Sequence, residues 1–117
     1  MSLAGGQRRG VTAALALGVL ICWGCASAYK QGLKAGKQGD WDSAVAKLSK
    51  AQAKDPDNIK YRVALENARV QASRAHYREA RKHLAADALE QAAAELEIAS
   101  NFDPGNLSAA EDLRIVR

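Results

Sequence analysis

Three side chains in the second half of the sequence have a spacing that suits metal binding. His76, Glu79 and His83 are three and seven residues apart, so an α-helix would place them on one face. Imidazole nitrogens and carboxylates are common zinc ligands. The same face is also where such a helix would meet its neighbours, and we favour this packing role. The sequence has no Ser-His-Asp order and no phosphate-binding glycine loop. We therefore predict no metal, no other cofactor, no catalytic residue and no enzymatic activity.

The two cysteines, Cys22 and Cys25, have the C-x-x-C spacing of some redox and metal sites. No further ligands accompany them, and no strand-helix-strand pattern surrounds them. They lie instead at the end of an N-terminal leader, in which Arg8 and Arg9 precede a 13-residue apolar run at positions 11–23. This run is too short to cross a bilayer as a helix, and it is typical of a secretory signal.

The end of the leader has three interpretations. Residues 22–25 (CWGC) resemble the lipobox of bacterial lipoproteins, which implies a signal peptide over residues 1–24 and a lipid on Cys25. Ala26 after the cysteine then implies an outer-membrane lipoprotein that faces the periplasm and is held to the membrane by this lipid. The alternatives are ordinary cleavage after Ala28, which would give a soluble periplasmic protein, and an uncleaved inner-membrane anchor.

Composition predicts a small all-α protein. The chain has 117 residues, few aromatics (5%) and no stretch in which apolar and polar residues alternate as in a strand. The formal net charge is +4, but without Arg8 and Arg9 the remaining 15 basic residues face 13 acidic ones. So small an excess, with no array of basic and aromatic residues, predicts no nucleic-acid partner.

An internal repeat organises the rest of the chain. Gly39 and Asp40 break one helix and cap the next, and Pro56 ends that second helix. Six residues recur at an offset of 48, which we take as a repeated structural unit. They are Ala44, Leu48, Ala51, Asp55, Pro56 and Asn58, matched by Ala92, Leu96, Ala99, Asp103, Pro104 and Asn106.

The repeat resembles the tetratricopeptide repeat (TPR), a helical hairpin of 34 residues. The residues that carry the resemblance are Gly32, Gly39, Ala44, Leu48, Ala51 and Pro56. It implies an all-α fold of two TPR-like helical hairpins joined through one long helix, with a C-terminal capping helix. The implied division is a first unit at 25–58, a helical extension at 59–72, a second unit at 73–106 and a final helix at 107–117. Asp87 stands where the second unit would have its turn glycine.

The long helix is predicted because residues 58–84 contain neither Gly nor Pro. Helical periodicity then predicts the residues that face the core. In the long helix they are Tyr61, Leu65, Ala68, Ala72, Ala75, Ala80 and Leu84. In the last two helices they are Leu89, Ala92, Ala93, Leu96 and Ala99, then Ala110, Leu113 and Val116. Asp57 or Asn58 is expected to cap the long helix.

In TPR arrays the first helix of each unit lines a concave binding face. The resemblance assigns this face to Tyr29, Leu33, Lys37, Arg74, Tyr77 and Arg81. Tyrosines among basic residues suit a protein or peptide partner with acidic groups. A solvated basic face is the plainer alternative. A basic strip formed by Arg69, Arg74, Arg78, Arg81 and Lys82 suits an anionic membrane surface.

A narrower resemblance covers most of the chain after the leader. GDWDSAV at 39–45, DPDN at 55–58, KYRVALENA at 60–68, SRAH at 73–76 and DPGN at 103–106 follow one another in order. This order is similar to the N-terminal repeat region of some bacterial secretins, the outer-membrane rings of type II secretion and type IV pilus machines. It implies a membrane-tethered scaffold or adaptor that helps assemble such a machine. Alternatives are a periplasmic repeat protein that binds peptides or cell-wall enzymes and a basic helical protein on anionic membrane. Self-association is also expected, because two repeats bury little surface.

Overall fold

The computed structural model describes residues 24–117. The predicted leader, apart from Gly24, lies outside these residues. The described part is all-α and contains no strand, and its helices form the two predicted hairpins joined through a long helix. Its helices are α1 (residues 24–37), α2 (Trp41–Lys54), α3 (Ile59–Ala85), α4 (Leu89–Phe102) and α5 (Leu107–Val116).

The short segments before α2 and α3 contain the turn and cap residues that the sequence predicts. Gly39 has a φ of +79° in the turn between α1 and α2, a conformation that costs glycine little. Asp40 caps α2, because its Oδ1 accepts a hydrogen bond from the Ser43 N–H at 3.2 Å. Asn58 rather than Asp57 caps α3, since its Oδ1 accepts from the Tyr61 N–H at 3.3 Å.

The second hairpin turns in the same way without a glycine. Asp87, the counterpart of Gly39, has a φ of +58° and joins α3 to α4. A left-handed conformation is unfavourable for a residue with a Cβ, although Asp adopts it more readily than most. The second turn therefore also has a residue with positive φ, although Asp stands there in place of the preferred glycine.

Helix α3 belongs to two packed groups. Leu65 and Ala68, in its first half, form a core cluster with Ala44 and Leu48 of α2. Its second half packs with α4 and α5 in a cluster formed by Ala80, Leu96, Ala99 and Ala109. We call α1 and α2 the first hairpin, and the second half of α3 with α4 the second hairpin. No helix of the described chain is long and apolar enough to cross a membrane.

Three core positions differ from the prediction. Leu89, the counterpart of Trp41, is 49% exposed at the start of α4. In the first hairpin Trp41 packs closely against Gly36, but Leu84 stands at the matching place in the second hairpin, so its side chain prevents the same close approach. In α5, Ala109 is fully buried and Ala110 is exposed, because the face of α5 that meets α3 and α4 runs through Ala109, Leu113 and Val116. Ser73 is a fully buried residue that the apolar pattern did not include.

Candidate functional site

An open groove runs between α1 and the first half of α3, with α2 as its floor. Its volume is about 250 Å³. Most of its surface is apolar, and Lys37 and Asn67 supply its charged and amide side chains. We call it the α1–α3 groove. It is lined by Gly32, Leu33, Gly36, Lys37, Trp41, Leu48, Ala64, Asn67 and Ala68.

Two glycines on α1 let the floor of the groove approach. A Cβ on Gly32 would lie 2.6 Å from Leu48 Cγ, and a Cβ on Gly36 would lie 2.8 Å from Trp41 Cζ3. Both distances are well below a normal van der Waals contact of about 3.5–4.0 Å. The glycines therefore keep α1 within reach of Leu48 and Trp41, which together close the bottom of the groove.

The corresponding place in the second hairpin has larger side chains. By the 48-residue offset, Gly32 and Gly36 correspond to Ala80 and Leu84, and Leu33 corresponds to Arg81. The Arg81 Nη1 lies 3.5 Å from an oxygen of Asp112 on α5. The residues that line the groove in the first hairpin are thus replaced in the second by larger residues, one of which forms an ion pair.

The rim of the α1–α3 groove is positively charged. Helix α1 carries Lys30, Lys34 and Lys37, and residues 24–38 contain no acid. All three lysines are exposed, and none forms an ion pair with a carboxylate of residues 24–117. Leu33, on the same helix, is 39% exposed beside them.

The six residues predicted to line a concave face lie in different surroundings. Leu33 and Lys37 line the α1–α3 groove, whereas Arg74 and Tyr77 line a separate cavity beside the start of α5. The Tyr29 ring lies tilted at 30° against the ring of Tyr61 on α3, with ring centroids 4.9 Å apart.

Tyr29 and Tyr77 are counterparts in the repeat but differ in role. The Tyr77 hydroxyl donates a hydrogen bond to Asp112 Oδ2 at 3.0 Å, whereas Tyr29 packs among core residues. Partial burial of Tyr77 and its hydrogen bond to Asp112 raise the pKa of the phenol above its usual 10.0. Asp112, which engages both Tyr77 and Arg81, was not predicted.

The predicted basic strip is interrupted by acids. Arg69 meets Glu66 at 3.5 Å and Lys82 meets Glu79 at 2.7 Å, while Arg81 meets Asp112. These exposed pairs contribute little stability, but they reduce the net positive charge of the strip. Arg74 and Arg78 are the members that form no ion pair with residues of the described chain.

His76 lies between the two hairpins and does not join Glu79 and His83 in a cluster. Its Nδ1 is 2.5 Å from Glu95 Oε2 on α4, and its Nε2 is 3.0 Å from the Asp42 carboxylate on α2. The ring also stacks on Phe102 at a centroid distance of 5.6 Å. Residues 24–117 hold no group of three His, Cys, Asp or Glu side chains placed to bind a metal ion.

Two carboxylates determine the protonation of His76. Desolvation lowers its pKa, but the hydrogen bonds and charges of Glu95 and Asp42 outweigh it, so the pKa lies above the usual 6.5. The side chain is 18% exposed. The sequence offered one indication of this role, because His76 falls on the face of α3 that meets neighbouring helices. Its partners, 34 residues before it and 19 after it, become neighbours only in the folded chain.

A buried polar link joins α3, α4 and α5. The Ser73 hydroxyl donates to the carbonyl of Ala99 at 2.7 Å, and Asn106 Nδ2 donates to Ser73 Oγ at 2.9 Å. Asn106 Oδ1 also accepts from the Ala109 N–H at 3.1 Å and so caps α5. Ser73 is the counterpart of Cys25 in the repeat, and both side chains are buried. The repeat could therefore have indicated that the two positions are equivalent.

Cys25, the predicted lipidation site, lies in the core of the first hairpin. It is a free thiol, 9% exposed, and it clusters with Ala28, Ala51 and Tyr61. The first turn of α1 thus places the thiol against α2 and α3.

No protein-family model and no curated protein matches the chain. Two solved structures have some similarity to it. One is the NMR structure of the first TPR domain of the human RPAP3 protein, with 21% identity, a TM-score of 0.37 and coverage of 80% of this chain and 89% of that one. The other is the first TPR of Spaghetti (RPAP3) bound to the HSP90 peptide SRMEEVD, with 23% identity, a TM-score of 0.37 and coverage of 80% and 90%. TM-scores this low support no conclusion about this chain.

Proposed function

We propose that the chain is a non-enzymatic interaction module that binds a segment of a partner protein in the α1–α3 groove. The observation that carries the proposal is the difference between the hairpins. Gly32 and Gly36 line the groove of the first hairpin, where Leu48 and Trp41 approach them closely, and the larger Ala80 and Leu84 stand at the matching places in the second. The groove is therefore not a general consequence of the repeat, because the second unit has different residues at these positions.

The groove suits one or two side chains of a polypeptide better than a free small molecule. Small-molecule sites usually have volumes of about 300–1,000 Å³ and enclose most of the ligand, whereas this groove holds about 250 Å³ and is open to solvent. Lys37 is the one titratable group among its lining residues, so the lining offers no pair of groups for proton transfer.

The rim charge indicates the chemistry of the partner. An apolar side chain fits against Leu33 and Trp41, and acidic groups next to it would meet Lys37 and the other lysines of α1. Asn67 can exchange hydrogen bonds with the backbone of an extended segment. We therefore infer a short segment with an apolar residue flanked by acids.

Selection of binding peptides on the full chain tests this proposal. Peptides from a random display library are measured by fluorescence anisotropy against the wild type, Leu33→Ser and Lys37→Glu. Both substitutions are expected to weaken binding about fivefold or more, since loss of an interface anchor exceeds about 1 kcal/mol. Lys50→Glu, with the same charge change at an exposed position of α2 outside the groove, is the control and is expected to change affinity by less than about threefold. Equal affinities for all four proteins would contradict the proposal.

We also propose that the module is tethered to the bacterial outer membrane through a lipid on Cys25. The apolar leader and the lipobox-like residues before Cys25 support this. Because the thiol packs against Ala51 and Tyr61, a lipid there requires the first turn of α1 to open. Labelling of cells with a fatty-acid analogue is expected to mark the wild type and not Cys25→Ala. Equal labelling of both would refute the anchor.

The finer proposal is that the tethered module helps assemble a type II secretion or type IV pilus machine. The order of sequence motifs supports it. A photo-crosslinking residue at Leu33 in intact envelopes is expected to capture a component of such a machine, whereas one at Lys50 is not. Capture of a cell-wall enzyme at Leu33 would favour the alternative periplasmic adaptor.

A direct membrane-surface role has its own test. Arg74 and Arg78 are the cations of the basic strip that form no ion pair within residues 24–117, so Arg74→Ser/Arg78→Ser is expected to reduce flotation with anionic liposomes if that role holds. Equal flotation with anionic and neutral liposomes would exclude it.

A further inference from the structure

The contacts of His76 require two protons on one imidazole ring. Nδ1 faces Glu95 at 2.5 Å and Nε2 faces Asp42 at 3.0 Å. A neutral histidine has one N–H and one lone pair, so it can donate to only one of the two carboxylates. Its other nitrogen would then place a lone pair against an anion. The observed geometry therefore belongs to the imidazolium form.

We propose that His76 is a protonation-dependent latch that fixes the first turn of α2 against the second hairpin and thereby positions Trp41 in the α1–α3 groove. In the protonated state the ring joins Asp42 of α2 to Glu95 of α4. Loss of the proton leaves one N–H for two carboxylates. With that N–H on Nδ1, which faces the closer carboxylate of Glu95, the contact to Asp42 is lost and the first turn of α2 is held by its remaining packing alone. The effect on partner binding rests on the function proposed above, whereas the latch itself does not.

The charges around the imidazole ring of His76 favour its protonated form. Asp42 approaches from α2 and Glu95 from α4, and among the ion pairs of residues 24–117 each of these two carboxylates is paired with His76 alone. Glu79, one turn further along α3, is paired with Lys82 and adds little net charge. The remaining neighbours are Phe102, which stacks on the ring, and Asp40, which lines the same small cavity with Gly39, Trp41 and Ala75.

A short physical path connects His76 to the groove. Asp42, which contacts the imidazole, directly follows Trp41 in the first turn of α2. The Trp41 side chain lies against Gly36 of α1 and lines the α1–α3 groove. A shift of the Asp42 backbone on release therefore moves the residue that forms part of the groove wall.

The repeat does not require the latch. The counterpart of His76 in the first hairpin is Ala28, and the counterpart of Glu95 is Lys47. His76 and Glu95 are therefore specific to the contact between the two hairpins, whereas Asp42 has an acidic counterpart in Glu90.

Two NMR titrations of the full chain in detergent micelles test the latch without any partner. The first follows the imidazole Cε1–H resonances. The His76 midpoint is expected above the 6.5 of an ordinary histidine, and Asp42→Asn and Glu95→Gln are each expected to lower it. His76→Gln identifies the His76 resonance, which is absent from that variant. A His76 midpoint at or below 6.5, or one that neither substitution changes, would overturn the proposal.

The second titration follows the indole N–H of Trp41, which Trp23→Phe distinguishes from the other tryptophan. Its resonance is expected to move with the His76 midpoint in the wild type and to stay constant in His76→Gln. A Trp41 resonance that is independent of pH in the wild type would overturn the coupling to the groove.

A binding measurement extends the test to the proposed function. The affinity for a selected peptide is expected to fall severalfold between about pH 6 and about pH 8.5 in the wild type and to change little in His76→Gln. An equal pH dependence in both proteins would overturn regulation of binding by His76. If no peptide binds the chain, the two titrations still decide whether the latch exists.

Discussion

Leu48 Cγ lies 2.6 Å from the position that a methyl group on Gly32 would occupy. Leu48 is 2% exposed and packs between α1 and α3, so it has little room to move. This relationship makes a helical glycine, ordinarily unfavourable by about 1 kcal/mol relative to alanine, a requirement of the first hairpin. It also fixes the depth of the α1–α3 groove.

Gly32→Ala is therefore expected to destabilise the protein although alanine favours helices. Overpacking of a core usually costs about 1–3 kcal/mol, which equals or exceeds the gain of about 1 kcal/mol in helix propensity. Urea unfolding followed by far-UV circular dichroism measures the difference. Gly24→Ala is the control, because its nearest neighbour is the flexible Lys54 Nζ at 3.4 Å. A Gly32→Ala variant more stable than the wild type would contradict the close packing.

Asp87→Gly is expected to stabilise the second hairpin by about 1 kcal/mol. Asp87 has a φ of +58°, where glycine avoids the steric penalty of a Cβ. The reciprocal change, Gly39→Ala at a φ of +79°, is expected to destabilise by about 1–2 kcal/mol. Thermal unfolding of both variants measures the pair. A destabilised Asp87→Gly would show that the Asp side chain contributes more than the strain of its backbone.

Ser73→Ala is expected to lower the free energy of unfolding by about 1–3 kcal/mol. It removes the donor to the Ala99 carbonyl and leaves Asn106 Nδ2 without its acceptor in the interior. Ser100→Ala is a matched control, since the buried Ser100 hydroxyl has no hydrogen-bond partner in the described chain. Ser100→Ala is expected to leave the free energy of unfolding unchanged or to raise it. Equal losses in both variants would remove the argument for the Ser73 link.

Tyr77 is expected to titrate above pH 10.0 in the folded protein. Burial and the hydrogen bond to Asp112 raise the pKa of its phenol above 10.0. The stability contributed by the neutral phenol is full below pH 10 and is lost as the pH rises through the higher folded-state pKa. Absorbance at the phenolate band during an alkaline titration measures this, and Tyr77→Phe is expected to remove a transition with its midpoint above pH 10. Loss of a transition at or below pH 10 in this variant would contradict the raised pKa.

Periodicity and turn chemistry predicted most of the fold. The Asp-Pro segments, the cap residue Asn58 and the absence of Gly and Pro before Leu84 gave the helices in their correct order. These features act locally, through backbone conformation and hydrogen bonds within a few residues, so they are visible in a sequence. The errors at Leu89 and Ala110 arose at the first turns of helices, where the packing of neighbouring helices decides which side is covered.

The candidate site was predicted less completely. Leu33 and Lys37 do line a groove, but Tyr29 packs into the core, and Asp112 engages Tyr77 and Arg81. The repeat alignment treats matching positions as equivalent, whereas each side chain responds to the residue that faces it from another helix. Tyr61 faces Tyr29, and its counterpart is Ala109, so the two tyrosines have different neighbours.

The sequence by itself determined the helices, their order and the long connection through α3, because local backbone preferences and apolar spacing suffice for these. Only the tertiary structure decided that Gly32 and Gly36 line a groove, that Cys25 is buried, and that His76 meets Asp42 and Glu95. These outcomes depend on contacts between helices distant in sequence, and a sequence records the residues but not the distances between them. The spacing of His76, Glu79 and His83 suggested a shared ligand, whereas packing directed His76 to two carboxylates on other helices.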